Sequence, residues 1–297
     1  MTEVDLAPLE VLVADALGRR DPSGLPILGF GELSVALAWP SGEPRYVCKR
    51  TPPFTPAQLS AYTELVGSYV EALRAAGLRV VDTSIVPLDN PMRRDRRVAY
   101  LVQPLLPRSS LGHEVLAAAE PDPDHPFLQA LGRALAVVTD VLSIDAQVTN
   151  WSWDGTEVTL IDVGTPFLWD DDGRYRLDMG PFLPMIPAPL RPLVRWDMNR
   201  VVGRWREARR VALDVVANLY REGLVDWVGP ATIALQRALG AAEPLTVHEA
   251  RAFYDEDRAT WVRLKRLQRL ERAWQTGVRR RRYEFFIHST FGADTTF

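Results

Sequence analysis

The sequence holds one cysteine, four histidines and two lysines in 297 residues. A lone Cys48 excludes an internal disulfide and any Cys-x-x-Cys metal or redox motif. His113, His125, His248 and His288 show no metal-ligand spacing, and there is no Gly-x-Ser-x-Gly nucleophile elbow. No apolar run approaches the roughly 20 residues that span a bilayer. The acidic start, Met1 to Asp5, lacks the basic and apolar regions of a signal peptide. The expected compartment is therefore the cytoplasm, with no membrane partner.

What is present reads as an ordinary globular chain. At 47% hydrophobic and 25% charged residues it can bury one large core or two lobes. The net charge is only −3, which offers nucleic acid little attraction. Within that total, residues 258–282 carry ten basic residues and one acid, Glu271. An amphipathic, solvated helix face is the plain reading of this segment; a patch for phosphate or an acidic partner is the sharper one. Of 35 basic residues only Lys49 and Lys265 are lysines, so a lysine in this arginine-rich background points to a specific need.

Hydrophobic periodicity and turn residues set the organisation. A helix is predicted over 4–19, ending at Asp21-Pro-Ser-Gly24, followed by strands over 25–30, 33–39 and 45–49. A helix over 56–76 stops at Gly77, and strands follow over 80–88 and 98–103. Beyond Pro104 and Pro107 comes a helix over 126–142. A hairpin then flanks Asp154-Gly155, a proline-rich segment covers 163–195, and the remainder is mostly helical. This is α+β segregation rather than alternating βαβ units. It predicts a lobe of five strands with one main helix over 1–104 and a larger helical lobe over 105–297.

Four features carry chemistry, in a fixed order. Gly29-Phe-Gly31-Glu-Leu-Ser34 lies between two predicted strands, where small residues let backbone N–H groups approach phosphate oxygens. Lys49 ends the third strand, and period-two alternation puts it on one face with Val47. Asp145-Ala-Gln-Val-Thr-Asn150 follows a helix, and Asp162-Val-Gly164 closes the hairpin. A loop aspartate can accept a hydroxyl proton, while an asparagine and a second aspartate can offer oxygens to Mg²⁺. With 22 Asp and four Asn in the chain, that spacing arises by chance about 0.02 times, so the joint pattern outweighs its ordinary parts.

These motifs resemble the protein-kinase-like superfamily, and within it the aminoglycoside phosphotransferase and choline kinase-type small-molecule kinases. The resemblance covers roughly residues 25–170 and implies a two-lobed fold using ATP and Mg²⁺. It implies that Gly29, Gly31 and Ser34 cover the nucleotide, that Ala36 and Val47 roof the adenine, and that Lys49 holds the phosphates. In kinases a lysine so placed pairs with a carboxylate on the following helix, for which Glu64 is the first choice and Glu71 the second. The hinge matches Gln103-Pro-Leu105, the catalytic aspartate Asp145, the metal ligands Asn150 and Asp162, and the Ile-Asp-x-Gly stretch begins at Ile161. Two departures stand out: Ser143 occupies the place of the family's loop histidine, and no Ala-Pro-Glu motif follows, which argues against an ordinary protein kinase. The implied acceptor is a hydroxyl on a small molecule. The alternatives are a peptide Ser or Thr and a nucleotide-binding scaffold without turnover.

Overall fold

The computed structural model describes residues 4–30, 34–192, 199, 202–240, 243–280 and 283–285. Helix α1 (Ala7–Arg19) precedes strands β1 (Ile27–Phe30), β2 (Val35–Trp39) and β3 (Tyr46–Arg50). Helix α2 (Pro56–Ala75) starts cleanly because Thr55 and Gln58 form a reciprocal capping box and Pro56 occupies a position that needs no N–H donor. Strands β4 (Arg79–Val80), β5 (Ser84–Asp89) and β6 (Arg97–Pro104) complete this part.

Five of these strands form one antiparallel sheet in the order β1-β2-β3-β6-β5. Its two faces are covered by different helices. Leu37, Cys48, Tyr100 and Val102 pack with Leu9, Val13 and Leu17 of α1, whereas Ala99 and Leu101 join a second core with Tyr62, Tyr69 and Leu73 of α2. Covering on both sides explains why the buried centre of β6 reads as an unbroken apolar run, Val-Ala-Tyr-Leu-Val. On the α1 face, Arg50 makes a two-pronged contact with Glu10 at 2.8 Å on each arm, and the Tyr100 hydroxyl donates to the same carboxylate. Burial works against the Arg50 charge, and Glu10 more than offsets it, leaving the guanidinium pKa raised.

The remaining described elements are mostly helical: α3 (Gly112–Ala117), α4 (Pro126–Ala134), α5 (Ala208–Arg221), α6 (Val228–Leu239) and α7 (Val247–Ala273). The expected hairpin is present as β7 (Trp151–Trp153) and β8 (Val158–Leu160), with Gly155 at φ +98° in the turn. The fold class is α+β, a five-stranded antiparallel sheet followed by a helical region, as the sequence predicts.

Two expected elements differ. The run over 80–88 is not one strand: β4 leaves the main sheet and pairs parallel to β8, making a small sheet β4-β8-β7, while β5 returns to β6. The predicted helix over 126–142 ends at Ala134, becomes a short 3₁₀ turn, and is extended at Val138. Thr139 Oγ1 accepts from the N–H groups of Val141 and Leu142, so this stretch of β-branched residues finds a local alternative to helix.

Removing one partner of the Arg50–Glu10 pair leaves an uncompensated buried charge. Glu10→Ala is expected to cost about 3–5 kcal/mol in urea unfolding, and the apolar double replacement Glu10→Leu with Arg50→Met less than that.

Candidate active site

Strand register brings the first group of predicted residues together. Directly opposed residues in an antiparallel sheet point the same way, and the pairs Gly29↔Ala36↔Lys49↔Leu101 and Ala38↔Val47↔Gln103 therefore share one face. It is the face opposite α1. A Cβ added at Gly29 would meet nothing within 4 Å, so there is open space above the start of this surface. Ser34 directly precedes β2 and is half-buried, while Gly31 lies outside the described residues.

The second group is held by the hairpin and the loop before it. Ile161 N–H donates to Asn150 C=O at 2.9 Å, extending the β7–β8 ladder by one step and setting Asn150 and Asp162 at the same end of the hairpin. The Asn150 side-chain amide donates to the Asp145 carbonyl at 3.2 Å. This leaves Oδ1 as the end of the amide not used on the loop. Asp162 Oδ1 accepts from Gly164 N–H at 3.0 Å.

Lys49 joins the two groups. Its Nζ lies 3.1 Å from Asp162 Oδ2, with side-chain exposures of 16% and 31%. The expected partner was Glu64, and here the structure corrects the reading. Glu64 is exposed and accepts from Ser60 on its own helix; Glu71 is exposed as well. The buried face of α2 is instead Leu59, Tyr62, Leu65, Val66, Tyr69 and Leu73. At 100° per residue both glutamates fall roughly opposite Tyr62, so the helical period held the signal that they point outward.

Tyr62 and Tyr69 were missed in the sequence, and both reach the site. Tyr62 hydroxyl donates to Gly164 C=O at 2.8 Å, and Tyr69 hydroxyl donates to Ser143 C=O at 2.8 Å. Burial first, then the charges of Asp145, Tyr175 and Asp162, hold the Tyr69 pKa well above the ordinary phenol value. Tyr69 thus feels the charge of both carboxylates. Tyr62 is raised in the same way, by burial and then by Asp162.

The loop around Asp145 is braced on every side. Ser143 N–H donates to Phe167 C=O at 3.0 Å, Trp151 Nε1 donates to Ala146 C=O at 3.1 Å, and Val148 N–H donates to Asn218 Oδ1 of α5 at 3.1 Å. Gly112 packs so close to the Val148 carbonyl that a Cβ would sit 2.5 Å from it. Tyr69 adds a further contact from α2 at the Ser143 carbonyl.

The predicted hinge also changes in detail. Leu105 N–H donates to Arg45 C=O at 2.8 Å and so continues the sheet. Gln103 is buried, and its side-chain amide donates to Thr83 Oγ1 at 2.9 Å and to Ile161 C=O at 2.8 Å, tying β6 to the residue before Asp162. A shallow hollow lined by Arg74, Gly77, Arg79, Asp82 and Thr159 lies apart from these residues, and its arginines are already paired with Asp82, Asp154 and Glu157.

The donor set is oxygen-rich. Among the described residues no three His, Cys, Asp or Glu side chains gather as a metal cluster. One carboxylate and one amide oxygen suit a hard cation such as Mg²⁺, which takes its other ligands from water and phosphate.

A family model matches residues 9–272, nearly the whole of the chain. The chain belongs to DUF6206, a family of unknown function. A search of curated proteins by sequence returned no match for this DUF6206 chain. Among 66 matching solved chains is one described as "WaaP in complex with acyl carrier protein". It is 15% identical with a TM-score of 0.40, covering 91% of this chain and 99% of that one. A likeness at that level carries no weight for function.

The brace can be tested against the corrected partner. Tyr69→Phe is expected to lower unfolding free energy by about 1–2 kcal/mol, because it leaves the buried Ser143 carbonyl unsatisfied. Glu64→Gln and Glu71→Gln are expected to stay within about 0.5 kcal/mol in the same urea titration.

Proposed function

We propose that this chain is a protein-kinase-like phosphotransferase that moves the γ-phosphate of ATP to a hydroxyl of a small molecule. The observation that carries the reading is the 3.1 Å approach of Lys49 Nζ to Asp162 Oδ2, at the junction of the sheet and the hairpin. An ammonium and a carboxylate so placed are what a nucleotide triphosphate with its counter-ion requires, one to face phosphate oxygens and one to face the cation. Residues 1–104 would form the nucleotide-binding lobe and 105–297 the lobe that holds the loop and the acceptor.

Each residue then has a distinct task. Ala36 and Val47 offer a flat apolar surface to the adenine, with Leu105 presenting its carbonyl rather than its N–H at the hinge. Lys49 holds phosphate oxygens. Asn150 Oδ1 and Asp162 would hold Mg²⁺, which when bound neutralises charge on the phosphates. Asp145 accepts the acceptor's hydroxyl proton as the new oxygen–phosphorus bond forms and the bond to the ADP oxygen breaks. Little covalent work falls to the protein, so positioning supplies most of the rate. The braced loop supports this demand.

A second reading keeps the nucleotide but not the turnover. It is favoured by Ser143, which is fully buried where the related enzymes have a histidine. In that case the chain is a nucleotide-responsive scaffold.

Two measurements separate the readings. ATP with Mg²⁺ at 100 times its dissociation constant is expected to stabilise the chain by about 2.7 kcal/mol in a thermal-shift assay. Asp145→Asn is expected to keep that shift and to lower phosphate transfer by at least about 100-fold, whereas Asp162→Asn loses the Mg²⁺-dependent part of the shift. Absence of any shift in the wild type sinks both readings. A shift without transfer across a panel of hydroxyl metabolites leaves the scaffold.

A further inference from the structure

The basic segment plays no part in the site above, and its geometry is not that of a plain solvated face. Along α7 and the wider turn that follows it (Trp274–Val278), Leu270, Trp274 and Val278 succeed one another at intervals of four residues. They are 66%, 53% and 62% exposed. At that spacing they form a single ridge. Arg263, Arg266, Arg279 and Arg280, all exposed, lie before and after it.

The flanks of the ridge are anchored. Gln268 and Glu271 are buried, and Glu271 accepts from Arg191 at 3.0 Å and from Gln275 at 2.7 Å. The helix therefore cannot roll to hide its ridge without breaking a partly buried ion pair.

We infer that this ridge seats the protein on an anionic lipid surface, with Leu270, Trp274 and Val278 entering the headgroup boundary and the arginines meeting lipid phosphates. Three features select a membrane over other polyanions. First, charge alone would serve a nucleic acid, but three large apolar side chains between the arginines would gain nothing there. Tryptophan and leucine flanked by arginine are what an interfacial helix presents. Second, the ridge is convex, and a bilayer accepts a protruding ridge without the shaped groove that a folded partner would have to supply. Third, the charge is divided. Residues 258–282 carry a net +9 against −3 for the whole chain, so the remainder is net −12 and is repelled by the same surface. That division orients the molecule with this helix down. No described helix is long and apolar enough to cross a membrane, so the association is peripheral. The inference is independent of the proposed phosphotransfer.

Sedimentation of the full chain with vesicles tests it. Vesicles of phosphatidylcholine containing phosphatidylglycerol are expected to bind the protein, pure phosphatidylcholine far less, and high salt to release it. Replacing Leu270 and Trp274 by Gln is expected to weaken binding by about tenfold or more, as is replacing Arg263, Arg266, Arg279 and Arg280 by Gln. Both variants change exposed positions, and unchanged urea unfolding confirms that they fold. The inference is overturned if the apolar replacement leaves vesicle binding intact, if duplex DNA or heparin binds at least as tightly as the vesicles, if an acidic protein does so, or if the ridge proves to hold two copies of the chain together in sedimentation velocity.

Discussion

Lys49 and Arg50 are neighbours in the chain, yet their side chains form ion pairs on opposite faces of the same strand. Arg50 meets Glu10 beneath α1, sealed from water, while Lys49 meets Asp162 across the junction with the hairpin. The pleat of β3 imposes this, since successive side chains alternate. A slip of one residue in the register with β2 or β6 would send the ammonium under α1 and put the guanidinium at the junction. The candidate site therefore depends on a strand register that the apolar residues of both faces enforce. Cys48, Tyr100 and Val102 demand one side and Leu101 the other.

The Asp145 loop is held by support from several elements at once. A loop that must hold a carboxylate in place needs its own backbone groups satisfied, or it will rearrange to satisfy them. Here the donors come from α2 through the Tyr69 hydroxyl and from the hairpin through Trp151 Nε1, while Asn218 Oδ1 of α5 accepts from Val148 N–H. The phenol suits its position. Burial first, then the charges of Asp145, Tyr175 and Asp162, hold it protonated, so that it donates to the Ser143 carbonyl. Tyr69 thereby couples the loop to the helix that packs on the sheet. Gln103 makes the matching link from β6 to Ile161. Lys49 and Gln103 thus join the sheet to the end of the hairpin at Asp162 and Ile161, while Tyr62 and Tyr69 join α2 to Gly164 and Ser143.

Elements whose evidence is local were legible in the sequence. The order of helices and strands, the α+β division, the Asp154-Gly155 hairpin and the candidate residues Lys49, Asp145, Asn150 and Asp162 follow from periodicity, turn chemistry and motif order. Where a run of apolar residues is compatible with more than one neighbour, the reading strayed. Residues 80–88 look like one strand because nothing in their composition says that β4 pairs with β8 and β5 with β6. Residues 135–142 look helical until Thr139 captures the N–H groups of Val141 and Leu142.

Which partner Lys49 takes is a different kind of question. Sequence alone determined that an ammonium, two carboxylates and an amide occur in this order and on these types of element, because each is specified within a few residues of its own turn or strand end. Tertiary structure decided that the ammonium meets Asp162 rather than Glu64, and that Tyr69 steadies the loop, because those choices depend on the rotation of α2 about its axis. That rotation is set by the apolar face the helix buries against β6 and the loop, surfaces that come from distant parts of the chain and exist only once it has folded.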